Sequence, residues 1–289
     1  MKGAMYLETI TASRVRAILP RRDPAGHKGN FGKVLCVCGS VGYTGAPIFA
    51  SRAAVRTGAG LVFLAVPQSV WPVAAVKSDE AMPFPLPETA DGKLSLLAEE
   101  PIRRRAADCD AVLLGCGLGR GWQTDALVQK LLDIEKPLVL DADGLNALDG
   151  CPELLQKRTA PTVVTPHEGE FLRLGGDLSQ GREAAAAAFS QKYGVYLVLK
   201  GHRTLVADPA GRLAVNDTGN SGMAKGGSGD VLAGMILSLL GQGCEAFDAC
   251  CAAVWLHGRA GDRAAAHKGE RSMTPTDLLE QIPYAMKNL

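Results

Sequence analysis

Short apolar segments without polar alternation recur along the chain and are separated by segments with helical spacing. A strand that is buried on both faces is apolar at successive positions, so these segments predict a parallel sheet covered by helices. The predicted strands are 34–37, 61–66, 111–114, 137–140, 162–164 and 195–199. Segments 204–207 and 212–215 flank Asp208-Pro209-Ala210-Gly211, which is typical of a hairpin turn. We therefore expect an α/β fold with a mostly parallel central sheet and helices on both faces.

The intervening segments predict helices at 46–58, 127–132, 183–193, 230–240 and 246–262. Five consecutive alanines favour the third of these helices. Segment 78–93 carries prolines at alternate positions (Pro83, Pro85, Pro87), and we interpret it as an ordered surface loop to which no role is assigned. No linker or internal repeat interrupts the pattern. Residues 1–289 are therefore expected to form a single domain.

Net charge limits the kinds of binding partner, and the cysteine content indicates the cellular compartment. The 31 basic and 30 acidic residues nearly cancel, which argues against nucleic acid or a membrane surface held by bulk charge. None of the eight cysteines forms a C-x-x-C pair, and most lie in apolar segments, as expected of small buried side chains in a reducing compartment. Residues 1–20 lack the apolar core of a secretory signal. We expect a cytoplasmic protein without a membrane span.

The loops that follow the predicted strands carry the polar and glycine-rich sequence. They are 39–47, 115–121, 141–144, 165–170, 200–204 and 226–230. In parallel sheets, ligands bind beyond the carboxyl ends of the strands. Six such loops in one chain predict a large site for a phosphate-bearing ligand.

Two common phosphate-binding motifs are absent. A G-x-G-x-x-G fingerprint in loop 115–121 would need glycine at Arg120 or at Trp122, and no G-x-x-x-x-G-K-[ST] occurs. The absence of these motifs argues against two classes of protein, a simple hydride-transfer enzyme and a P-loop NTPase. Loop 115–121 is either a tight strand-to-helix turn or a place where phosphate or ribose approaches the backbone.

Loop 226–230 is the sharpest signal. Small residues precede Asp230, which begins an apolar helix. The free amides of Gly227, Ser228 and Gly229, together with the positive end of the helix dipole, form an anion site. Asp230 is either the helix N-cap or a general base beside a transferring phosphoryl group. The preceding segment 216–225 is polar and glycine-rich with no packing explanation, which favours the base.

The sequence NSGMAKGGSGDVLAG at 220–234 resembles the signature of the ADP/ATP-dependent NAD(P)H-hydrate dehydratases, members of the ribokinase-like superfamily. Further blocks similar to that family lie, in matching order and spacing, at 29–33, 43–47, 141–146, 165–170 and 200–201. The resemblance extends from about residue 8 to residue 285. The family often carries a separate epimerase domain, for which we expect no room in this chain.

The resemblance implies a hydro-lyase that repairs damaged cofactor. The hydroxyl of the S form of hydrated NADH or NADPH is phosphorylated from ADP or ATP, and phosphate is then eliminated. It further implies Mg²⁺ and a homo-oligomer, expected to be a tetramer. The choice between ADP and ATP, and between the NADH and NADPH hydrates, stays open.

Site residues follow from the resemblance in three groups. Asp230 is the expected base, and Gly227, Ser228 and Gly229 stabilise the phosphoryl group. The hydrated dinucleotide is expected to contact Ala46, Gly119, His167 and Asp230. The adenine nucleotide is expected at Lys200, Gly201, His202, Arg203, Thr204 and Gly229, with Glu170 organising Mg²⁺ indirectly.

Simpler explanations of three side chains stay open. His167 could cap the following helix, Lys200 could be a solvated charge at a strand end, and Glu170 could serve only a helix dipole. Two other functions are also open. One is a small-molecule kinase of the same superfamily, acting on a hydroxymethylpyrimidine, a thiazole alcohol or a sugar. The other is a nucleotide-binding sensor, against which the intact Gly-Gly-Ser-Gly-Asp argues.

Overall fold

The described part of the chain is built around one ten-stranded sheet. The structure, a computed structural model, describes residues 7–287 and 289. Part of segment 1–20, which was expected to lack a secretory signal, therefore lies outside the described residues. The strands are β1 (Leu7–Thr9), β2 (Lys33–Val37), β3 (Leu61–Pro67), β4 (Met82–Leu86), β5 (Ala111–Leu114), β6 (Leu138–Leu140), β7 (Thr162–Val164), β8 (Tyr196–Leu199), β9 (Leu205–Ala207) and β10 (Leu213–Val215). Their order in the sheet is β1-β10-β9-β8-β7-β6-β5-β2-β3-β4. The β8–β9 and β9–β10 pairs are antiparallel and the other described pairs are parallel, which confirms the expected class.

Helices cover both faces of this sheet. They are α1 (Ala12–Ile18), α2 (Gly45–Arg56), α3 (Trp71–Lys77), α4 (Glu99–Ala107), α5 (Trp122–Leu131), α6 (Asp143–Asn146), α7 (Glu168–Arg173), α8 (Arg182–Tyr193), α9 (Ser228–Gly241), α10 (Ala246–Lys268) and α11 (Pro275–Lys287). Val34 and Cys36 of β2 join the core under α2, α9 and α10, whereas Leu35 and Val37 join the core under α4, α5 and α8. Successive residues of the strand thus face opposite layers, as the unbroken apolar segments require.

The proline-rich segment is not wholly a loop. Residues 82–86 form β4, the edge strand, which pairs in parallel with β3. Proline cannot donate to a neighbouring strand, so it is tolerated in a sheet only where its nitrogen faces away from the ladder. The alternate placement of Pro83 and Pro85 meets this condition, because both nitrogens can face the open side of the edge. The interpretation of 78–93 as a surface loop is therefore wrong for this stretch.

Close packing of α2 against α9 brings their first turns to the same edge of the sheet. Gly234 of α9 faces Ala50 of α2, and a Cβ at Gly234 would lie 2.1 Å from the Ala50 carbonyl oxygen. At the start of α9, Gly227 lies against Phe49 of α2. Glycine at both positions therefore allows the two helices to meet beside the carboxyl ends of the central strands.

Six of the eight cysteines are buried, while Cys151 and Cys244 are partly exposed, and none is in a disulfide. Among the described residues, no helix combines the length and the apolar character needed to cross a membrane.

Candidate active site

Residues that directly follow β6, β7 and β8 form a charged cluster. The three strands are neighbours and run parallel, so their carboxyl ends meet at one edge. Lys200 Nζ donates to Asp141 Oδ1 at 2.8 Å and lies 3.7 Å from Glu170 Oε2. Thr165 Oγ1 donates to the same Asp141 oxygen at 2.7 Å. Only 19% of the Lys200 side chain is exposed, so its interpretation as a solvated strand-end charge is wrong.

Lys200 keeps its positive charge in this setting. Burial alone would lower the pKa of the ammonium, but the neighbouring carboxylates of Asp141 and Glu170 outweigh that effect and raise it. The cluster therefore presents a fixed cation at the carboxyl edge of the sheet.

The first turn of α9 faces this cluster. Gly227 is the residue before the helix and has a φ of 104°, a conformation that favours glycine. A Cβ placed on Gly229 would lie 3.5 Å from Lys200 Nζ and 3.7 Å from Asp141 Oδ2. Asp230 is the third residue of the helix, not the capping one, so the N-cap explanation of this carboxylate is wrong.

Asp230 has an unusual affinity for its proton. Burial, together with the negative charge of Asp141, raises its pKa from 3.8 to about 7, while Cys116 and Lys200 act in the opposite direction. One potential ligand atom from each of Cys116, Asp141 and Asp230 lies within 4.8 Å of the other two. A carboxyl group that titrates near neutral pH is suited to general base catalysis.

This trio does not fit a resident Mg²⁺ site. Mg²⁺ prefers octahedral oxygen ligands, whereas Cys116 offers a sulfur atom. A hydrogen bond with Cys38 lowers the pKa of the Cys116 thiol, but burial and the charges of Asp230 and Asp141 raise it overall, so the thiol stays protonated. The Lys200 ammonium already occupies one oxygen of Asp141.

His167 and Glu170 form a reciprocal cap at the start of α7. His167 Nδ1 accepts from the amide of Gly169 at 3.0 Å, and Glu170 Oε2 accepts from the His167 amide at 2.9 Å. The capping role of His167 is confirmed. Its ring is 56% exposed, and contact with a dinucleotide stays a prediction. Glu170 also faces Lys200, so the explanation by a helix dipole alone is wrong.

The guanidinium of Arg182 binds the backbone of segment 200–204. Arg182, the first residue of α8, donates to the carbonyl oxygens of His202 at 2.8 Å, Leu199 at 3.3 Å and Lys200 at 3.4 Å. Thr204 Oγ1 donates to the Gly201 carbonyl at 3.0 Å. The guanidinium therefore fixes the backbone of the predicted nucleotide segment.

The other predicted site residues make contacts outside the charged cluster. His202 and Arg203 are exposed, and Arg203 pairs with Asp217 outside the cluster. Ala46 is in the first turn of α2 and lies beside loop 115–121. A Cβ placed on Gly117 would lie 2.9 Å from the Cβ of Ala46. Gly119 donates its amide to Asp143 Oδ2 at 2.8 Å.

Loop 115–121 contains a turn that glycine makes possible. Gly115 has a φ of 135°, and a Cβ there would lie 1.8 Å from the Asp141 carbonyl oxygen. The tight-turn explanation of this loop is therefore confirmed at Gly115.

Segment 216–225 packs along α10, contrary to the expectation that it lacks a packing role. Asn216 and Thr218 donate to the carbonyl oxygens of Val254 and Trp255 at 3.2 and 3.0 Å. Gly258 permits this approach, because a Cβ there would lie 2.2 Å from Thr218 Oγ1. Two polar side chains of the segment thus donate to backbone carbonyl oxygens of α10.

A family profile described as NAD(P)H-hydrate dehydratase matches residues 34–284. The chain belongs to the NAD(P)H-hydrate dehydratase family. The resemblance that the sequence motifs predict is thereby confirmed.

Three relatives illustrate the membership. The bifunctional NAD(P)H-hydrate repair enzyme Nnr of Moorella thermoacetica is 45% identical over 97% of this chain and 54% of its own length. The ADP-dependent (S)-NAD(P)H-hydrate dehydratase of Neisseria meningitidis is 39% identical over 87% of this chain and 83% of its own length. The ADP/ATP-dependent dehydratase of Bacillus subtilis, co-crystallised with ATP/Mg²⁺, superimposes with a TM-score of 0.83 at 30% identity over 99% of both chains. The chain spans about half the length of the bifunctional relatives.

Four residues of this dehydratase-family site carry no role in the sequence-based assignment. Asp141 and Thr165 directly follow predicted strands, and this position alone could have identified them as candidate site residues. Cys116 follows a strand within a glycine-rich loop, but its contact with Asp141 depends on the neighbouring strand. Arg182 gives no local signal, since the carbonyls that it binds lie 17 to 21 residues away.

Proposed function

We propose that this chain catalyses the ADP- or ATP-dependent dehydration of the S form of hydrated NADH or NADPH, and so acts as a hydro-lyase in cofactor repair. The observation that carries the proposal is the joint placement of Asp230, Lys200 and the glycine amides at the start of α9. Phosphoryl transfer depends mainly on positioning and charge stabilisation, and this arrangement offers both. The names of the family relatives supply the substrate class.

In the first step, the amides of Gly227 and Gly229 hold the transferring phosphoryl group at the positive end of α9. The Ser228 amide, also expected to take part, donates instead to the Lys225 carbonyl oxygen at 3.2 Å. Asp230 accepts the proton of the hydrate hydroxyl, whose oxygen forms a bond to phosphorus as the bond to the donor nucleotide breaks. The phosphorylated oxygen is then a good leaving group. The lone pair of the ring nitrogen expels phosphate, a ring proton passes to solvent, and the reduced nicotinamide is restored.

The adenine nucleotide occupies segment 200–204, with its phosphates near Lys200 and Gly229. Mg²⁺ would be held mainly by the donor phosphates and would neutralise part of their charge, and Glu170 is the residue of this chain that would act on it, indirectly through water. The hydrated dinucleotide extends from Asp230 toward Ala46, Gly119 and His167. No step of the proposal requires a metal ion held by side chains of this chain.

The test compares wild type with Asp230→Asn. Hydrated NADH is incubated with ADP or ATP, and recovery of the near-ultraviolet absorbance of the reduced nicotinamide ring is followed. Removal of the base should lower turnover roughly 10²–10⁴-fold, while nucleotide affinity stays largely unchanged. Wild-type turnover in the variant would remove the catalytic assignment. Nucleotide consumption on a pyrimidine, thiazole or sugar alcohol, without recovery of reduced nicotinamide, would favour the kinase instead.

We also propose that residues 1–289 act as one dehydratase domain and assemble as a homotetramer in the cytoplasm. A reducing compartment suits eight cysteines that form no disulfide. Light scattering on the purified chain measures the assembly, and a monomer at micromolar concentration would contradict the tetramer.

A further inference from the structure

Asp141 has the most enclosed carboxylate of the charged cluster, with only 2% of its side chain exposed. Its two oxygens have different neighbours. Oδ1 accepts from Lys200 Nζ at 2.8 Å and from Thr165 Oγ1 at 2.7 Å. Oδ2 faces the Cys116 thiol, whose sulfur is 3.8 Å away, and the space beside Gly229. One side of this carboxylate thus holds a cation, and the other faces the first turn of α9.

We propose that Asp141 is a positioning residue of this site, which anchors Lys200 for the donor phosphates through one oxygen and keeps a second negative charge beside Asp230 through the other. The inference rests on the proposed function. It adds to that function a residue that positions Lys200 and influences the charge of Asp230.

The anchoring step follows from the flexibility of lysine. An ammonium group on a four-carbon stem has three donors and no fixed direction of its own. Asp141 is itself fixed by Thr165, and both follow neighbouring strands of the sheet. Lys200 Nζ is therefore held between Asp141 and Glu170, within reach of the first turn of α9. A donor phosphate meets an ammonium whose position does not have to be organised during the reaction.

The electrostatic step follows from the distance between the two carboxylates. One oxygen each of Asp141 and Asp230 lies within 4.8 Å of the other, and two like charges so close in a partly buried site cannot both ionise freely. Asp141 is paired with the Lys200 ammonium, and it is the pKa of Asp230 that is raised. Environments that separate the titration of two carboxylates assign the base to one of them. The groups that act on the pKa of Asp230 are Cys116 after β5, Asp141 and Asp143 after β6, and Lys200 after β8. His257 of α10 contacts the same turn at the Ser228 carbonyl, and burial lowers the pKa of its ring to about 4.

Glu170 offers a matched control. Its carboxylate also faces Lys200, but at 3.7 Å instead of 2.8 Å, and its oxygen is tied to the His167 amide. Glu170→Gln and Asp141→Asn each remove one negative charge from the surroundings of Lys200. Only Asp141→Asn also removes the charge that lies beside Asp230.

The experiment measures the titration of Asp230 directly, by carbon NMR of carboxyl-labelled aspartate in the ligand-free protein. In Asp141→Asn, the midpoint should fall by about one to two pH units, because the repulsion disappears while burial persists. In Glu170→Gln, it should move less than half as far. The acid limb of the turnover profile should shift with the midpoint, and the KM for nucleotide should rise about tenfold or more in Asp141→Asn.

An unchanged Asp230 midpoint in folded Asp141→Asn would overturn the proposal, as would an equal shift in Glu170→Gln. If Asp141→Asn does not fold, Lys200→Gln provides the second test, because loss of the ammonium leaves two carboxylates together and should raise the Asp230 midpoint. A midpoint that does not rise would also overturn the proposal. The titration needs no turnover, so absence of dehydratase activity in wild type would refute the proposed function without affecting this measurement.

Discussion

Replacement of Gly229 by alanine should separate stability from activity at the start of α9. Gly229 is the second residue of the helix, and its φ is not in the left-handed region. The new Cβ would lie 3.5 Å from Lys200 Nζ and 3.7 Å from Asp141 Oδ2, which are ordinary contact distances. The folded chain therefore accommodates the methyl group without displacement of its neighbours.

The two effects can be worked out separately. Alanine is favoured over glycine in a helix by about 0.5–1 kcal/mol, so Gly229→Ala should stabilise the protein. An unfolding entropy of about 2.1 cal/mol/K per residue gives about 0.6 kcal/mol/K for 289 residues, and the Tm should rise by about 1–2 °C. The same methyl group occupies the space in which the phosphoryl group would meet the amides and Lys200. The amide itself is retained, but exclusion of the phosphoryl group from it should lower turnover about as much as loss of one such donor, about 10²–10³-fold.

Thermal melts and turnover with hydrated NADH measure the two effects on the same preparation. Gly226→Ala is the matched control, since it lies three residues away and no atom comes within 4 Å of its added Cβ. The control should retain turnover within a factor of about three. Wild-type turnover in Gly229→Ala, with unchanged nucleotide affinity, would refute the placement of the phosphoryl group at this turn.

Three further predictions concern pH and backbone support. The folded-state pKa of Asp230 is raised from 3.8 to about 7, so wild type loses stability as pH rises through that window. Asp230→Asn should therefore melt at a higher temperature at about pH 8, by an equivalent of up to about 4 kcal/mol, and the gain should vanish at about pH 4. Burial lowers the pKa of His257 from 6.5 to about 4, so the unfolded chain takes up the proton first and stability falls between those values as pH drops. His257→Gln should remove that acid sensitivity in a pH series of melts. Arg182→Lys should raise the KM for nucleotide about tenfold and leave the KM for the hydrate unchanged, because lysine cannot span the carbonyls that the guanidinium binds. Arg103→Lys, at a salt-bridged site of similar exposure on α4, should change neither constant.

The sheet was largely predictable because each central strand is buried on both faces. Segments 111–114 and 162–164 match β5 and β7 residue for residue, and the turn at 208–211 joins β9 to β10 as predicted. β4 was missed because alternate prolines are typical of loops, and only its position at an edge makes them compatible with a strand. That position depends on β3, about twenty residues earlier in the chain.

The site was predictable at the level of segments and not of contacts. The family signature located Asp230 and Lys200, but the ion pair between Lys200 and Asp141 joins residues 59 positions apart. Near-neutral titration of Asp230 arises from burial and a neighbouring charge, neither of which a single segment contains. The expectation that segment 216–225 has no packing role was wrong for the same reason. Its partners lie far along the chain: Val254 is 38 residues after Asn216, and Trp255 is 37 residues after Thr218.

The dispersal of the charged cluster over separate strand ends has a consequence for biogenesis. Asp141 meets Lys200 only after β6, β7 and β8 have assembled, and the first turn of α9 is tied to His257 through the Ser228 carbonyl. Contacts of such long sequence separation form late, because the loops between them have to close first. A nascent chain should thus be catalytically silent until α10 has left the ribosome, and regain of turnover after dilution from denaturant should report the last step of refolding.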